Sequence, residues 1–317
     1  MNLITVDDTI SADRALRLIR RGHTLRWEGD FQNAKQLLAA VGRRTRRIDR
    51  LNSLLIATKN YEIRLRRAPD VYEACLQAYG PPDGERLIPL RELLGVIGAH
   101  QLRRRGIYLP ALNGRIHPHY GVFAPTRSEY VDLLAAEPLP PAKVAFDIGT
   151  GTGVLTAVLL RRGIPQVIAT DNNPRAVACA RANLAVYGGR FEVVEADLFP
   201  EGRADLIVCN PPWIPGRAKA LLDTAVYDEG SRMLFGFLQG VSEHLNPGGE
   251  AWLILSDLAE LLGLRSRDEL FAAFRAAGLQ TVGRSSVVPT HPRARADETT
   301  FLWRLRPSRD LPFVEEA

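Results

Sequence analysis

Asn210-Pro211-Pro212-Trp213 is the tetrapeptide of this chain whose residue types are hardest to explain by packing alone. It follows the apolar run Asp205-Leu206-Ile207-Val208-Cys209, which reads as a strand. It therefore falls beyond a strand's carboxyl end, where open α/β sheets bind ligands. An amide or exocyclic amino nitrogen has a delocalised lone pair and attacks poorly until it moves toward tetrahedral geometry. Acceptors aimed at its two hydrogens favour that change. The Asn210 side-chain oxygen and the Pro211 carbonyl are such acceptors, and Pro211 and Pro212 stiffen the loop so that little reorganises as charge develops. Trp213 adds a flat ring that can stack on a planar group and favour positive charge on nitrogen through its π-face.

A second cluster, Asp147-Ile148-Gly149-Thr150-Gly151-Thr152-Gly153, ends another apolar run and opens a helical one. Glycines there let the backbone pass close to a ligand. The spacing G-x-G-x-G lacks the third glycine position of the dinucleotide fingerprint, which argues against a nicotinamide cofactor. Asp171, 20 residues after Gly151, stands with Asn172 at the tip of the next strand. A carboxylate there can accept hydrogen bonds from both hydroxyls of a ribose. The competing reading is a cap for the helix that opens at Pro174. Asp197 is positioned to accept from an adenine amino group, with Leu198 packing on the ring, or else is a turn residue. The expectation is a nucleoside-containing cofactor.

The elements that must position these residues follow from periodicity. Strands are expected at Val144–Ile148, Gln166–Thr170, Phe191–Glu195, Asp205–Cys209, Ala251–Leu255, Leu279–Val288 and Thr300–Leu305, alternating with helices that begin near Gly153, Pro174, Gly230 and Arg267. That alternation is the signature of crossover units on a seven-stranded, mostly parallel sheet with helices on both faces, an α/β fold. Before it, four apolar stripes at helical spacing (12–19, 31–41, 71–78 and 90–97) predict a smaller, mainly helical N-terminal domain. Asn113-Gly114 suits a tight hairpin. The expected division is 1–115, a substrate-recognition domain with its hairpin, and 120–317, the catalytic domain.

Of the 317 residues, 46% are hydrophobic, ordinary for a globular chain. Residues 1–120 hold 21 Lys+Arg against 12 Asp+Glu, and the rest hold 20 against 24. Arg43, Arg44, Arg46, Arg47, Arg64, Arg66, Arg67 and Arg103–Arg105 are the kind of footprint a nucleic-acid partner leaves, or a solvated basic face. Three widely spaced cysteines, Cys75, Cys179 and Cys209, indicate buried thiols in a reducing compartment rather than disulfides or a zinc site. His117 and His119 lack further ligands nearby, so no metal is expected. Ser256-Asp257 read as a helix cap, and Thr290-His291-Pro292-Arg293-Ala294-Arg295 as a hairpin connection, with substrate contact the alternative for each. No signal-peptide-like or membrane-spanning stretch is seen, so a cytoplasmic address and no membrane partner are expected.

The combined motifs resemble the class I methyltransferases with a Rossmann-like sheet, and within them the Asn-Pro-Pro-aromatic group, over residues 120–306. Asn210-Pro-Pro-Trp-Ile-Pro215, Asp197-Leu198-Phe199 and Phe123-Ala-Pro-Thr-Arg-Ser-Glu129 are similar to the release-factor glutamine methyltransferases and to "methyltransferase small" domain proteins. Trp213 stands where that family usually carries tyrosine. The resemblance implies S-adenosyl-L-methionine held by Asp147, Gly149, Thr150, Gly151, Gly153, Asp171, Asn172, Asp197, Leu198 and Asn210. It implies catalysis by Asn210, Pro211, Pro212 and Trp213, with Trp213 and Arg127 toward the substrate. The expected acceptor is a protein glutamine-type amide of the translation apparatus. The alternatives are adenine N6 or guanine N2 in RNA or DNA, a small-molecule amine, or an inactive adaptor on nucleic acid or the ribosome.

Overall fold

The computed structural model describes residues 2–45, 48–216, 227–291 and 294–308. Arg46, Arg47, Pro292 and Arg293, singled out above, lie outside the described residues. The chain divides into two units, Met1–Arg104 and Arg105–Ala317.

The first unit corrects the expectation of a mainly helical domain. Its order is β1 (Leu3–Val6), α1 (Ala12–Arg20), β2 (Thr24–Trp27), α2 (Phe31–Arg44), α3 (Ile48–Leu51), β3 (Leu54–Lys59), α4 (Tyr72–Tyr79), β4 (Glu85–Pro89) and α5 (Leu90–Arg105), whose last turn carries the boundary. The four expected helices are present, α1 capped by Ser11 and α2 by Asp30. They accompany a four-stranded sheet in the order β1-β2-β3-β4, parallel except for β4. The reason is burial at a period of two: Leu25 and Trp27, then Leu54 and Ile56, are inaccessible while their neighbours are not. Several of the basic residues are paired within the unit, Arg44 with Asp13, Arg64 with Glu62, and Arg66 and Arg67 with Asp30.

The second unit opens with the expected hairpin, β5 (Ile107–Leu109) and β6 (Gly114–Ile116), turning at Asn113 in the left-handed region with φ 40°. Leu109, Leu112 and Ile116 are buried in the core of this unit, so the hairpin belongs here and not to the N-terminal one as expected. There follow α6 (Glu129–Ala136), β7 (Val144–Ile148), α7 (Val154–Arg161), β8 (Gln166–Asp171), α8 (Pro174–Leu184), β9 (Arg190–Glu195), β10 (Ala204–Cys209), α9 (Arg232–His244), β11 (Leu245–Ser256), α10 (Leu258–Leu261), α11 (Arg267–Ala276), β12 (Leu279–Val287) and β13 (Thr300–Pro307). Seven strands pair in the order β12-β13-β11-β10-β7-β8-β9, with β13 alone reversed among them. Alternate residues feed two cores. Ala145, Val208 and Trp252 pack under α6, α7 and α8, while Phe146, Ile207 and Leu253 pack under α9 and α11.

That strand order places the site. The chain runs outward from β7 through β8 to β9, then returns to the other side of β7 as β10. The loops leaving β7 and β10 therefore diverge and leave a crevice at the carboxyl edge, the position where such sheets bind ligands. Among the described residues, no helix is long and apolar enough to cross a membrane.

Candidate active site

One cavity of about 1270 Å³ lies at that crevice, lined by Gly149, Thr150, Gly151, Asp171, Asn172, Asp197, Leu198, Asn210, Pro211, Pro212, Trp213 and Arg127. It exceeds the ~300–1,000 Å³ usual for a single small-molecule cleft. Two sequence-selected residues, Asp147 and Gly153, do not line it.

Asp147 lies beneath the glycine loop, 1% exposed. Its Oδ2 accepts from Thr150 Oγ1 at 2.7 Å, from Thr156 Oγ1 at 2.7 Å and from the Thr156 N–H at 3.1 Å, tying the loop to the first turn of α7. Its Oδ1 is buried with no hydrogen-bond partner, and burial pushes the carboxyl above its usual range despite the two threonines. Gly153 serves packing: at φ 80°, a Cβ there would lie 3.2 Å from the Ala180 Cα of α8. Gly151 differs. A Cβ on it would meet nothing within 4 Å, so its left-handed backbone (φ 55°) leaves open space beside the Cα where the loop lines the cavity.

Asp171, at the end of β8, accepts the Gly151 N–H at 3.0 Å on Oδ2 and the Asn173 N–H at 2.9 Å on Oδ1. Burial raises its carboxyl above the usual range, with those two bonds opposing. The cap of α8 is Asn173, which accepts from Arg175, so the capping alternative for Asp171 falls away. Asp197 is exposed and paired with Arg232 at 2.6 Å. Leu198 holds a left-handed backbone (φ 74°), its carbonyl accepting from the Thr170 hydroxyl, while its side chain rests against Gly236 of α9.

On the other side of the crevice, Asn210 Oδ1 accepts from Trp213 Nε1 at 2.9 Å. The loop is fastened beyond Trp213, where the Asp228 N–H bonds the Ile214 carbonyl at 2.9 Å. The Asp228 carboxylate accepts the Met233 and Leu234 N–H groups and so caps α9. Asp228 and Met233 both line the cavity, and sequence reasoning passed over them. An acidic residue a few positions ahead of an apolar helical run was the available signal. Arg127, expected toward the substrate, lines the cavity but is ion-paired with Glu129 and Glu298 at 2.7 and 2.8 Å. Ser256 Oγ bonds Glu298 at 2.7 Å and accepts the Leu258 N–H at 3.1 Å, consistent with its expected role as a cap. Cys209, directly before the motif, is a buried free thiol whose pKa burial raises strongly.

The methyltransferase small domain family matches residues 113–275. A release factor glutamine methyltransferase of Mycolicibacterium smegmatis is 32% identical over 229 residues, 67% of this chain and 74% of the relative. Its counterpart from Geobacter sulfurreducens is 34% identical over 155 residues, 44% of this chain and 52% of the relative, so the chain spans about half the length of that protein. Ribosomal RNA small subunit methyltransferase C of Sodalis glossinidius is 36% identical over 112 residues, 34% of this chain and 29% of the relative.

Proposed function

The chain belongs to the methyltransferase small domain family, and on that premise we propose that it is an S-adenosylmethionine-dependent N-methyltransferase acting on a protein glutamine-type amide. The observation that carries this reading is the position of Asn210-Pro211-Pro212-Trp213, which lines the same cavity as the glycine loop and Asp171.

The residues fit the cofactor. Asp171 uses one lone pair on each oxygen for backbone and keeps acceptor capacity for a ribose. Gly151 leaves room for close approach, and the Leu198 side chain supplies apolar surface at the cavity wall for a base. When bound, S-adenosylmethionine supplies a methyl group made electrophilic by its sulfonium sulfur. The protein's part is to hold the acceptor nitrogen in line and to shape its lone pair. Asn210 Oδ1 spends one lone pair on Trp213 and has a second for one acceptor N–H, and the Pro211 carbonyl offers the other acceptor. Because both are set by a proline-stiffened loop, the arrangement is in place before charge develops. Orientation of this kind contributes on the order of 7–11 kcal/mol at its best. No strong general base is needed ahead of transfer, since the nitrogen sheds its proton only after it has gained the methyl group.

Glutamine is the favoured acceptor because a relative that overlaps 67% of this chain is named for it. The reading assigns the reaction to the translation machinery of the cytoplasm. An exocyclic base amine in RNA is the second reading, favoured by the ribosomal RNA methyltransferase among the relatives and by the basic first third of the chain. Incubating the enzyme with methyl-tritiated S-adenosylmethionine and cell lysate tests both. Label that is released by protease supports the amide, label released by nuclease overturns it in favour of RNA, and no transfer at all removes both.

A further inference from the structure

Trp213 is restrained from two sides. Its indole N–H donates to Asn210 Oδ1 at 2.9 Å, and the Arg127 guanidinium lies over its ring, 5.2 Å from the centroid. Arg127 is itself clamped. Its Nε donates to Glu129 Oε1 at 2.8 Å, and its two terminal nitrogens reach Glu298 Oε1 at 2.8 Å and Oε2 at 3.4 Å. Glu298 is 1% exposed, receives the Ser256 hydroxyl and is followed by β13, while Glu129 begins α6. Two carboxylates from segments 169 residues apart thus fix the plane of one guanidinium. Burial pushes the Glu298 carboxyl up, but Arg127 and Ser256 outweigh it and hold it below the usual range.

The chemistry of each group limits what the chain of contacts can do. An indole N–H only donates, so it identifies the Asn210 atom facing it as oxygen, and a flipped amide would lose that bond. A guanidinium stacks on a ring face and keeps that face from a substrate. Donors on all three of its nitrogens are committed to two carboxylates. Swinging Arg127 toward a substrate would leave Glu298 buried and unpaired, which is strongly disfavoured. Arg127 is therefore poorly suited to bind substrate directly, although it lines the cavity.

We propose that Arg127, clamped by Glu129 and Glu298, is a positioning residue that sets the ring plane of Trp213 and, through the indole N–H, the Asn210 rotamer that presents Oδ1 to the acceptor nitrogen. The proposal rests on the N-methyltransferase reading for its consequence, and on contacts within this chain for its cause. It assigns a use to tryptophan at this position, since a tyrosine or phenylalanine has a ring to stack but no N–H at that place.

The test pairs a spectroscopic readout with kinetics. In protein labelled with ¹⁵N-tryptophan, the indole signals of Trp27, Trp213, Trp252 and Trp303 are recorded, and Trp213→Phe identifies the one that disappears. Glu298→Gln and Arg127→Lys should each shift or broaden the Trp213 signal and leave the other three in place. The same variants should lower kcat for methyl transfer about ten- to hundredfold, as misplacement of reacting groups does, with KM for S-adenosylmethionine little changed. In a Trp213→Phe background, Arg127→Lys should cost nothing further. A Trp213 signal unmoved in both variants overturns the proposal, and so do losses that multiply in the double variant, which would make Arg127 a direct substrate contact. Should Glu298→Gln disturb all four signals, Arg127→Lys decides, and disturbance of all four in both assigns the cluster to folding and also overturns it. Wild-type protein that transfers no methyl group defeats the parent reading, while the indole signals still report on the relay.

Discussion

At the amino edge of the seven-stranded sheet, Asp205 and Glu250 are held below the usual carboxylate range, whereas at its carboxyl edge Asp147 and Asp171 are pushed above it. Burial acts on all four, and the difference is that cations help to answer it at the amino edge, Lys143 for Asp205 and Arg304 and Arg306 for Glu250, while none does so for Asp147 or Asp171. Asp205 takes the Lys143 and Val144 N–H groups on one oxygen and Asn246 on the other. Glu250, inaccessible in β11, takes Arg304 twice, Arg306 once and the Trp252 indole, which together outweigh its burial and hold it at about 2. Asp147 leaves one oxygen without a partner, and Asp171 receives a single backbone N–H on each. The amino edge is saturated and contributes stability. At the carboxyl edge Asp171, which lines the cavity, keeps acceptor capacity in reserve, whereas the unanswered oxygen of Asp147 is buried beneath the loop.

That contrast can be broken by experiment. Glu250→Ala should have the largest effect, a loss of about 3–5 kcal/mol in unfolding free energy, because it takes the buried partner from Arg306 and leaves Arg304 only Glu137. Denaturant titration reads the loss, and turnover per folded molecule should be unchanged; a loss of turnover without a loss of stability would erase the distinction between the edges. Asn210→Ala should do the reverse. Turnover should fall about 10²–10³-fold, roughly 3–4 kcal/mol, with stability and S-adenosylmethionine affinity near wild type, and normal turnover would sink the proposed chemistry.

Acid should act through the amino edge. The folded pKa of Glu250 lies below its usual 4.5, so its contribution is complete above that value and is lost as pH falls toward about 2. The amount is about 3 kcal/mol, and it should be missing from the pH dependence of Glu250→Gln measured by the same titration. Asp171 works with the opposite sign. Its raised folded pKa means that protonation on acidification relieves the fold but removes an acceptor, so cofactor affinity measured by calorimetry should weaken as pH drops through that raised value. Asp171→Ala should abolish this dependence and, as the smallest of the effects, weaken binding about ten- to hundredfold, in line with loss of a hydrogen bond to a charged group.

The second unit was largely legible in the sequence because its signals are local. Strands of the main sheet fall within a residue or two of their expected ends in most cases; β11 is the exception, running from Leu245 where Ala251 was expected. The first unit was less so. Its strands are four to six residues long and half-buried, and the helical stripes between them carry the stronger periodicity. A run as short as Thr24-Leu25-Arg26-Trp27 does not stand out as a strand until β1 and β3 lie on either side of it. The hairpin was recognisable from Asn113-Gly114, but its allegiance was not, since that depends on which core receives Leu109, Leu112 and Ile116.

By itself the sequence determined the α/β alternation, the glycine loop and the Asn-Pro-Pro-Trp segment, because each is encoded in residue types within a few positions of one another. Only the tertiary structure decided what those residues do toward each other. It set Asp147 beneath the loop and Asp171 at its mouth, and removed Asp171 from the cap of α8. It also brought Glu298 to Arg127, 171 residues away, and Arg127 to the face of Trp213. Such pairings are made by the sheet order, which carries β13 back beside β11, and no spacing along the chain records where a strand will come to lie.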